Sequence, residues 1–424
     1  MFPSFHRGVT MRYLISTLLL SALPTLAWAE PLTFNAALER AAAEAPSLRG
    51  RAASVSSAQS AAIAADRLPD PTLDVGIQDF PVTGPDAGRL NRDNFTMQKI
   101  GISQQFINPA KRHARAARAS ADIGIAEAGA LVEGRSVRLQ TALAWVDLYY
   151  AKRRLAQLKL LDTSLADLQS TVGARLASGS ARPSQTLEPD QLRAQVNDRR
   201  AELSANVAKA RALLARFTGD PNPDVAGAPP DLMVDRSRLL AGISALPSLR
   251  AMDAQTVAAD ADTQLARAEK RPDWKVSASY GRREPNYGDL VSVGVSIDLP
   301  FFSKRRQDPK IAAAASEAER VRFNRVAAER EVLAALDSDL ADHLMHHQRL
   351  ENARNTLVPL TRRRAELDMA SYAAGKLDLG SALLSSLALA EAEIDALARE
   401  ADVARDAIRI NMTYGPMTEE GNSQ

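Results

Sequence analysis

The stretch KIAAAASEAERVRFNRVAAEREVLAALDSDLADHLMHHQRLENARNTLVPLTRRRAELDMASYAA, residues 310–374, decides the fold. It holds no glycine, and Pro359 is its only proline. Apolar residues recur at three- and four-residue steps through Leu333, Leu336, Leu340 and Leu344, then through Leu350, Leu357, Leu360 and Leu367. That period predicts an amphipathic helix with a coiled-coil-like seam. The Glu, Arg and Asp between these positions predict a solvated opposite face. Asp308-Pro309 reads as the start, a cap followed by a first-turn proline. At 1.5 Å per residue the helix would be on the order of 100 Å long, far beyond an ordinary globular helix. Such a strut spans a distance.

Outward from it, the chain reads as two similar halves. In the first, residues 32–67 read as helices, with Thr33 or Asn35 capping one and Pro46 opening the next. The period then changes to two. Leu73, Val75 and Ile77 alternate with Asp74, Gly76 and Gln78 in a strand at 72–80. Residues 81–93 read as an exposed loop, and a second strand at 95–106 is stopped by Asn108-Pro109. Long helices at 110–176 and 185–217 follow, joined by a turn. Leu139, Leu143, Val146 and Tyr150, then Leu158, Leu161, Leu165 and Leu168, mark the apolar side of the first. Beyond a proline-rich linker at 219–230 the order repeats: helices at 235–270, strands at 274–282 and 290–299, and long helices at 309–374 and 378–413.

Individual residues repeat too. Ala245-Leu246-Pro247-Ser248-Leu249-Arg250 echoes Ala45-Pro46-Ser47-Leu48-Arg49. Gly294-Val295-Ser296 and Lys304-Arg305 stand at one offset of 193 from Gly101-Ile102-Ser103 and Lys111-Arg112. Gly375 stands 196 beyond Gly179, as Gly415 does beyond Gly219. Ordered offsets of this kind predict an internal tandem duplication, with repeats at 30–230 and 231–415 and a tail at 416–424.

The first residues read as a secretory signal. Arg7 and Arg12 precede the short apolar run 13–23, and Ala27-Trp28-Ala29 offers small residues at cleavage spacing, so a cut after Ala29 is expected. Met11 rivals Met1 as the start. Residues 1–29 carry two arginines and no acid, so their removal takes the formal charge from +2 to zero. A near-neutral mature chain argues against a nucleic-acid partner. There is no cysteine, hence neither a disulfide nor an acylated N-terminal cysteine.

The strands have the length of tilted membrane-spanning strands. Four cannot close a barrel, and an open sheet would leave bare edges in lipid. Closure by several copies is therefore expected. Three copies would supply twelve strands, within the even-numbered bacterial range, although the number three does not come from the residues.

At this point the pattern resembles the TolC-type outer-membrane efflux proteins over about residues 32–415. Local stretches carry the resemblance further. Gly101-Ile102-Ser103-Gln104-Gln105 followed by Lys111-Arg112, and Leu68-Pro69-Asp70-Pro71 before the first strand, are similar to the heavy-metal (CzcC/CusC-like) branch of the outer-membrane factors that serve RND pumps. Tyr372-Ala373-Ala374-Gly375 resembles the Tyr-x-x-Gly turn near the periplasmic end, and Leu357 with Pro359 a Leu-Pro step in the long helix. The resemblance implies a mainly α protein with a small membrane β-barrel: four strands per protomer, twelve in a homotrimer, over a coiled-coil-like helical barrel. It implies an outer-membrane location with a large periplasmic extension. The implied partners are a periplasmic adaptor (a membrane fusion protein), an inner-membrane RND pump and outer-membrane lipid. The implied role is passive export of heavy-metal cations, with a multidrug or type I secretion duct as the rival. A soluble periplasmic coiled-coil adaptor is the rival of another class; it should have one helical hairpin, not two equivalent halves.

The chemistry-bearing residues are few. Gly179 and Gly375 end long helices where a left-handed residue is needed. Gly179, Ser180, Gly375, Lys376 and Asp378 are the candidates for an adaptor-docking tip. The family's acids beyond its Tyr-x-x-Gly glycine have no counterpart in Gly380-Ser381-Ala382-Leu383-Leu384; Asp378 stands as a substitute gate residue or simply as the cap of the last helix. His343 and His347, at i,i+4 on one helix face, form a candidate metal pair, against the plainer reading of histidines along a strut. The basic run Lys111, Arg112, His113, Arg115, Arg118 reads as a collar below the barrel. No phosphate loop, nucleophile elbow or CxxC is present, so no catalysis and no cofactor are expected.

Overall fold

A computed structural model describes residues 31–90, 92–177 and 187–416, and over 160–177 the backbone alone. The expected signal at 1–29 and the first hairpin turn, with Gly179 and Ser180, lie outside the described residues. The elements run α1 (Phe34–Glu44), α2 (Pro46–Ala65), β1 (Thr72–Gln78), β2 (Met97–Phe106), α3 (Pro109–Ala177) and α4 (Glu188–Thr218). Then come α5 (Arg236–Gly242), α6 (Pro247–Ala268), β3 (Trp274–Arg282), β4 (Leu290–Ile297), α7 (Ser303–Asn352), α8 (Val358–Ala373) and α9 (Leu379–Tyr414). The second half thus repeats the order of the first.

Local chemistry explains the boundaries. Thr33, not Asn35, caps α1, its hydroxyl accepting the Ala36 N–H at 3.3 Å. Pro46 and Pro247 each open a helix, where a missing N–H costs nothing. The strut begins earlier than Asp308-Pro309 predicts: α7 starts at Ser303 and carries Pro309 inside it. Pro309 is exposed, so water can satisfy the carbonyl that its ring leaves free. Pro359 is accommodated differently. A wide π turn at Ala353–Leu357 precedes it and joins α7 to α8, which relieves the clash of the ring with the preceding turn.

α3 is the hub. It packs on α1, α2, α4, α6 and α9, while α7 lies on α6 and α9 and α8 on α9. One core gathers around Trp145, whose indole N–H donates to the Leu32 carbonyl at 2.8 Å and whose ring meets Phe34 edge-on. A second core joins Leu158 of α3, Leu192 and Val196 of α4, Tyr372 of α8 and Leu383 and Ile394 of α9. The α3/α6 contact is made of alanines, Ala121 against Ala258 and Ala261, which lets the two backbones approach closely.

The leucine seam of the strut is not a buried seam within one chain. Leu336 is fully buried and Leu350 nearly so, but Leu344 is 60%, Leu360 64% and Leu367 51% exposed. The apolar period is real. Most of what it marks faces away from this protomer's own core.

Candidate functional site

The four strands form one antiparallel sheet in the order β1-β2-β3-β4, with β1 and β4 as its edges. Its register sorts the side chains by face. Leu73, Ile102, Ala278 and Val293 pair in one row, and Val75, Ile100, Tyr280 and Val291 in the next. Directly paired residues share a face, so one side of the sheet is almost wholly apolar. It is also bare: Val293 is 74% exposed. The opposite rows read Asp74, Gly101, Ser279, Ser292 and Thr72, Ser103, Ser277, Gly294. That side is polar and closely packed at its glycines. A Cβ placed on Gly101 would stand 3.1 Å from the Ser279 Cβ, and one on Gly281 2.7 Å from the Met97 sulfur. Glycine permits this close approach. The sheet therefore has one apolar and one polar face, with its edge strands β1 and β4 exposed on both.

A half-buried ion pair fixes the sheet to the helices. Asp273, just before β3, accepts from the Asn108 N–H at 2.9 Å and from the Lys111 ammonium at 2.8 Å. Burial pushes its pKa up, but the two donors and nearby Arg115 outweigh this and hold it below the usual carboxylate range. The collar read from Lys111, Arg112 and Arg118 is thus partly a set of rivets: Arg112 reaches the Asp66 carbonyl at 3.4 Å, and Arg118 holds Asp262 at 2.6 Å.

At the far end of the helices, Gly375 has φ +73°. Its N–H donates to the Tyr372 carbonyl, and the Lys376 N–H donates to the Ser371 carbonyl at 2.9 Å. This pair of bonds is the Schellman pattern expected of a left-handed glycine stop. Asp378 is the cap of α9, accepting from the Ser381 N–H at 2.9 Å and the Ser381 hydroxyl at 2.8 Å. These bonds lower its pKa. Sequence reasoning missed its neighbour Glu188 at the start of α4. Burial, then the charge of Asp378, raise the Glu188 pKa, with the Gly380 N–H partly opposing them. Two acids from different hairpins thus meet at the tip. Nothing in the local pattern around Glu188 signals this, because the meeting depends on the packing of α4 against α9.

Higher up, α3, α8 and α9 enclose a groove of about 890 Å³ beside Pro359. Glu400 takes Arg354 at 2.6 Å and Arg153 at 3.1 Å, and Glu393 takes Arg362 at 2.6 Å and also Gln157. These carboxylates clasp three helices together.

The histidines separate. The rings of His343 and His347 lie 6.5 Å apart. His343 is half-buried with a pKa lowered by burial, and His347 lies on the surface near Glu351. His346 instead crosses to α9, its Nδ1 2.6 Å from Asp406, which Arg409 also holds at 3.0 Å. Among the described residues no three His, Asp or Glu gather at metal-ligand spacing.

The class defined by this arrangement is the TolC-type outer-membrane channel fold: paired long helices in a repeated order, below a four-stranded sheet with its apolar face outward. Solved structures bear this out over nearly the whole chain. The open state of the Neisseria gonorrhoeae MtrE outer membrane channel is similar at 16% identity, with TM-score 0.72 and 92% of this chain and 91% of that one covered. CusC, described in terms of folding and transmembrane channel formation, is similar at 13% identity, TM-score 0.73, covering 90% and 92%. The Campylobacter jejuni CmeC outer membrane channel is similar at 12% identity, TM-score 0.72, covering 92% and 87%. No family model matches the sequence, and no curated protein matches it.

Proposed function

We propose that this chain is the outer-membrane exit duct of a tripartite RND-type efflux system, working as a homotrimer whose three sheets close a twelve-stranded barrel. One observation carries the reading: a sheet with an exposed apolar face, a polar opposite face and two edge strands without an outer neighbour. Lipid suits the first, a water-filled lumen the second and sister chains the third. The exposed leucines of α7 and α8 support the same assembly, since helices of neighbouring copies would cover them. The 1–29 segment is the export signal on this reading, and 30–230 and 231–415 are the two copies of one duplicated unit. The tip turns, Gly179-Ser180 and Gly375-Lys376 with Asp378, meet the periplasmic adaptor, and the inner-membrane pump supplies the energy. Heavy-metal cations are the proposed cargo, supported by the strand-exit and Leu-Pro-Asp-Pro stretches. His343 and His347 are at most a transient contact for them.

The test has two parts. The protein should partition with the outer membrane as a heat-modifiable trimer; a water-soluble monomer would overturn the duct. Deleting the gene should lower tolerance to copper, silver, zinc, cobalt or cadmium. Loss of drug tolerance alone would reassign the cargo and leave the duct standing.

A further inference from the structure

The two repeats differ at one matched place, where the second strand of each hands over to its long helix. In the first repeat the junction is self-contained. The Asn108 side chain accepts the Ala110 N–H at 3.0 Å, Lys111 is half-buried against Asp273, and Phe106 stacks on Trp274 at 4.6 Å. In the second repeat, at an offset of 193, Asn108-Pro109 is replaced by Phe301-Phe302 and Lys111-Arg112-His113 by Lys304-Arg305-Arg306. Both rings are bare, at 79% and 71% exposure. All three cations are exposed, and among the described residues none has an ion-pair partner. The nearby acids are committed elsewhere, Asp308 to Lys270 and Glu269 to Lys310, while Asp298 forms no ion pair with them. Nothing here serves the helix: α7 has no side-chain cap, and cations in a first turn oppose the helix dipole.

The patch follows the apolar strand directly. Exposed Val291, Val293, Val295 and Ile297 of β4 are followed by exposed Leu299 and, after a tight turn in which the Phe301 N–H donates to the Leu299 carbonyl at 3.0 Å, by the two bare rings. Rings at the end of a lipid-facing strand followed by free cations fit the boundary between acyl chains and headgroups. We infer that Phe301, Phe302, Lys304, Arg305 and Arg306 form a binding surface for anionic phospholipid headgroups at the periplasmic leaflet, with the rings in the acyl boundary and the cations on phosphate. Three copies would ring the barrel with nine such cations. The inference rests on the sheet being in the outer membrane, as proposed above.

The test uses the full protein, purified in detergent, delipidated and titrated with phosphatidylglycerol or phosphatidylcholine, with bound lipid counted by native mass spectrometry. Wild type should prefer phosphatidylglycerol. Lys304→Gln/Arg305→Gln/Arg306→Gln should lose that preference, by about fivefold per cation removed. Arg305→Lys/Arg306→Lys should keep it. Arg349→Gln/Arg363→Gln/Arg364→Gln, with the same net charge change roughly 65–90 Å along the rod, should also keep it. An unchanged preference in the Lys304 triple variant overturns the inference while leaving the duct intact. So does a Phe301→Ser/Phe302→Ser variant whose trimer dissociates with unaltered lipid binding, which would give the patch to a second copy of the chain. A wild-type protein absent from the outer-membrane fraction overturns both.

Discussion

Val293→Arg puts the two faces of the sheet to their sharpest test. Val293 is the fourth residue of β4 and sits in the outward row with Ala278, Ile102 and Leu73. The ten-residue β2 is about 34 Å long. Tilted by about 40°, it rises about 26 Å, close to the height of a barrel's apolar band, so Val293 lies near mid-depth. On a water-facing surface the substitution would cost within about 0.5 kcal/mol either way, because the side chain already stands clear. In lipid it should cost about 2–4 kcal/mol per chain, roughly 30- to 700-fold in the insertion equilibrium, and every copy of the chain carries the change. Ser292→Arg, one residue away on the polar face, should cost under about 1 kcal/mol. The assay is urea-dependent folding of the purified chain into vesicles, read by gel mobility before and after heating. Equal folding of Val293→Arg and wild type, or equal damage from both variants, would refute the assignment of the two faces.

Four further outcomes follow from the helical part. Trp145→Ala should cost about 3–5 kcal/mol, since the ring is fully buried and its N–H holds Leu32; the thermal midpoint reads it. Asp378→Ala should lose about 1 kcal/mol of α9 stability, while Asp378→Asn keeps the cap; a change in single-channel conductance on Asp378→Asn would mean that the charge, and not the cap, matters. Glu188 has a raised pKa in the folded tip, so the folded state binds the proton more tightly. Its contribution is full below the ordinary carboxylate pKa and is lost as pH rises through the raised value. Amide exchange near 188–192 and 379–383 should therefore slow as pH falls through that window, after correction for intrinsic rate, and Glu188→Gln should abolish the trend. Finally, His343→Ala/His347→Ala should lower zinc or copper binding in calorimetry if the pair touches the cargo; unchanged binding and tolerance would leave them as strut residues.

Much of this architecture was legible because its periods are long. The strand at 274–282 falls where the repeated order places it, and α3 runs within a residue of its predicted limits. What alternation could not supply was the face. Gln98 and Gln104 sit on the outward side of β2 among Ile100 and Ile102, and they blur that strand until register with β3 is known. The strut's start was misplaced because a proline preceded by aspartate reads as a first turn, whereas an exposed proline is also tolerated a turn or two inside. The leucine period marked an apolar stripe, without showing that the chain's own core leaves Leu344, Leu360 and Leu367 bare. The clasps of Glu393 and Glu400 join residues about 30 to 250 positions apart; spacing along one helix carries no trace of them.

The free margins of β1 and β4 bear on the order of events in the cell. On the proposed duct reading, a newly exported chain has a helical part that can bury its own cores, but its strands have nowhere to end. Any sheet formed in solitude would offer two sticky borders to every other unfolded strand crossing the same compartment. The helices are therefore expected to consolidate first, with the strands zipped up last and only in company, so that assembly and membrane entry become a single step.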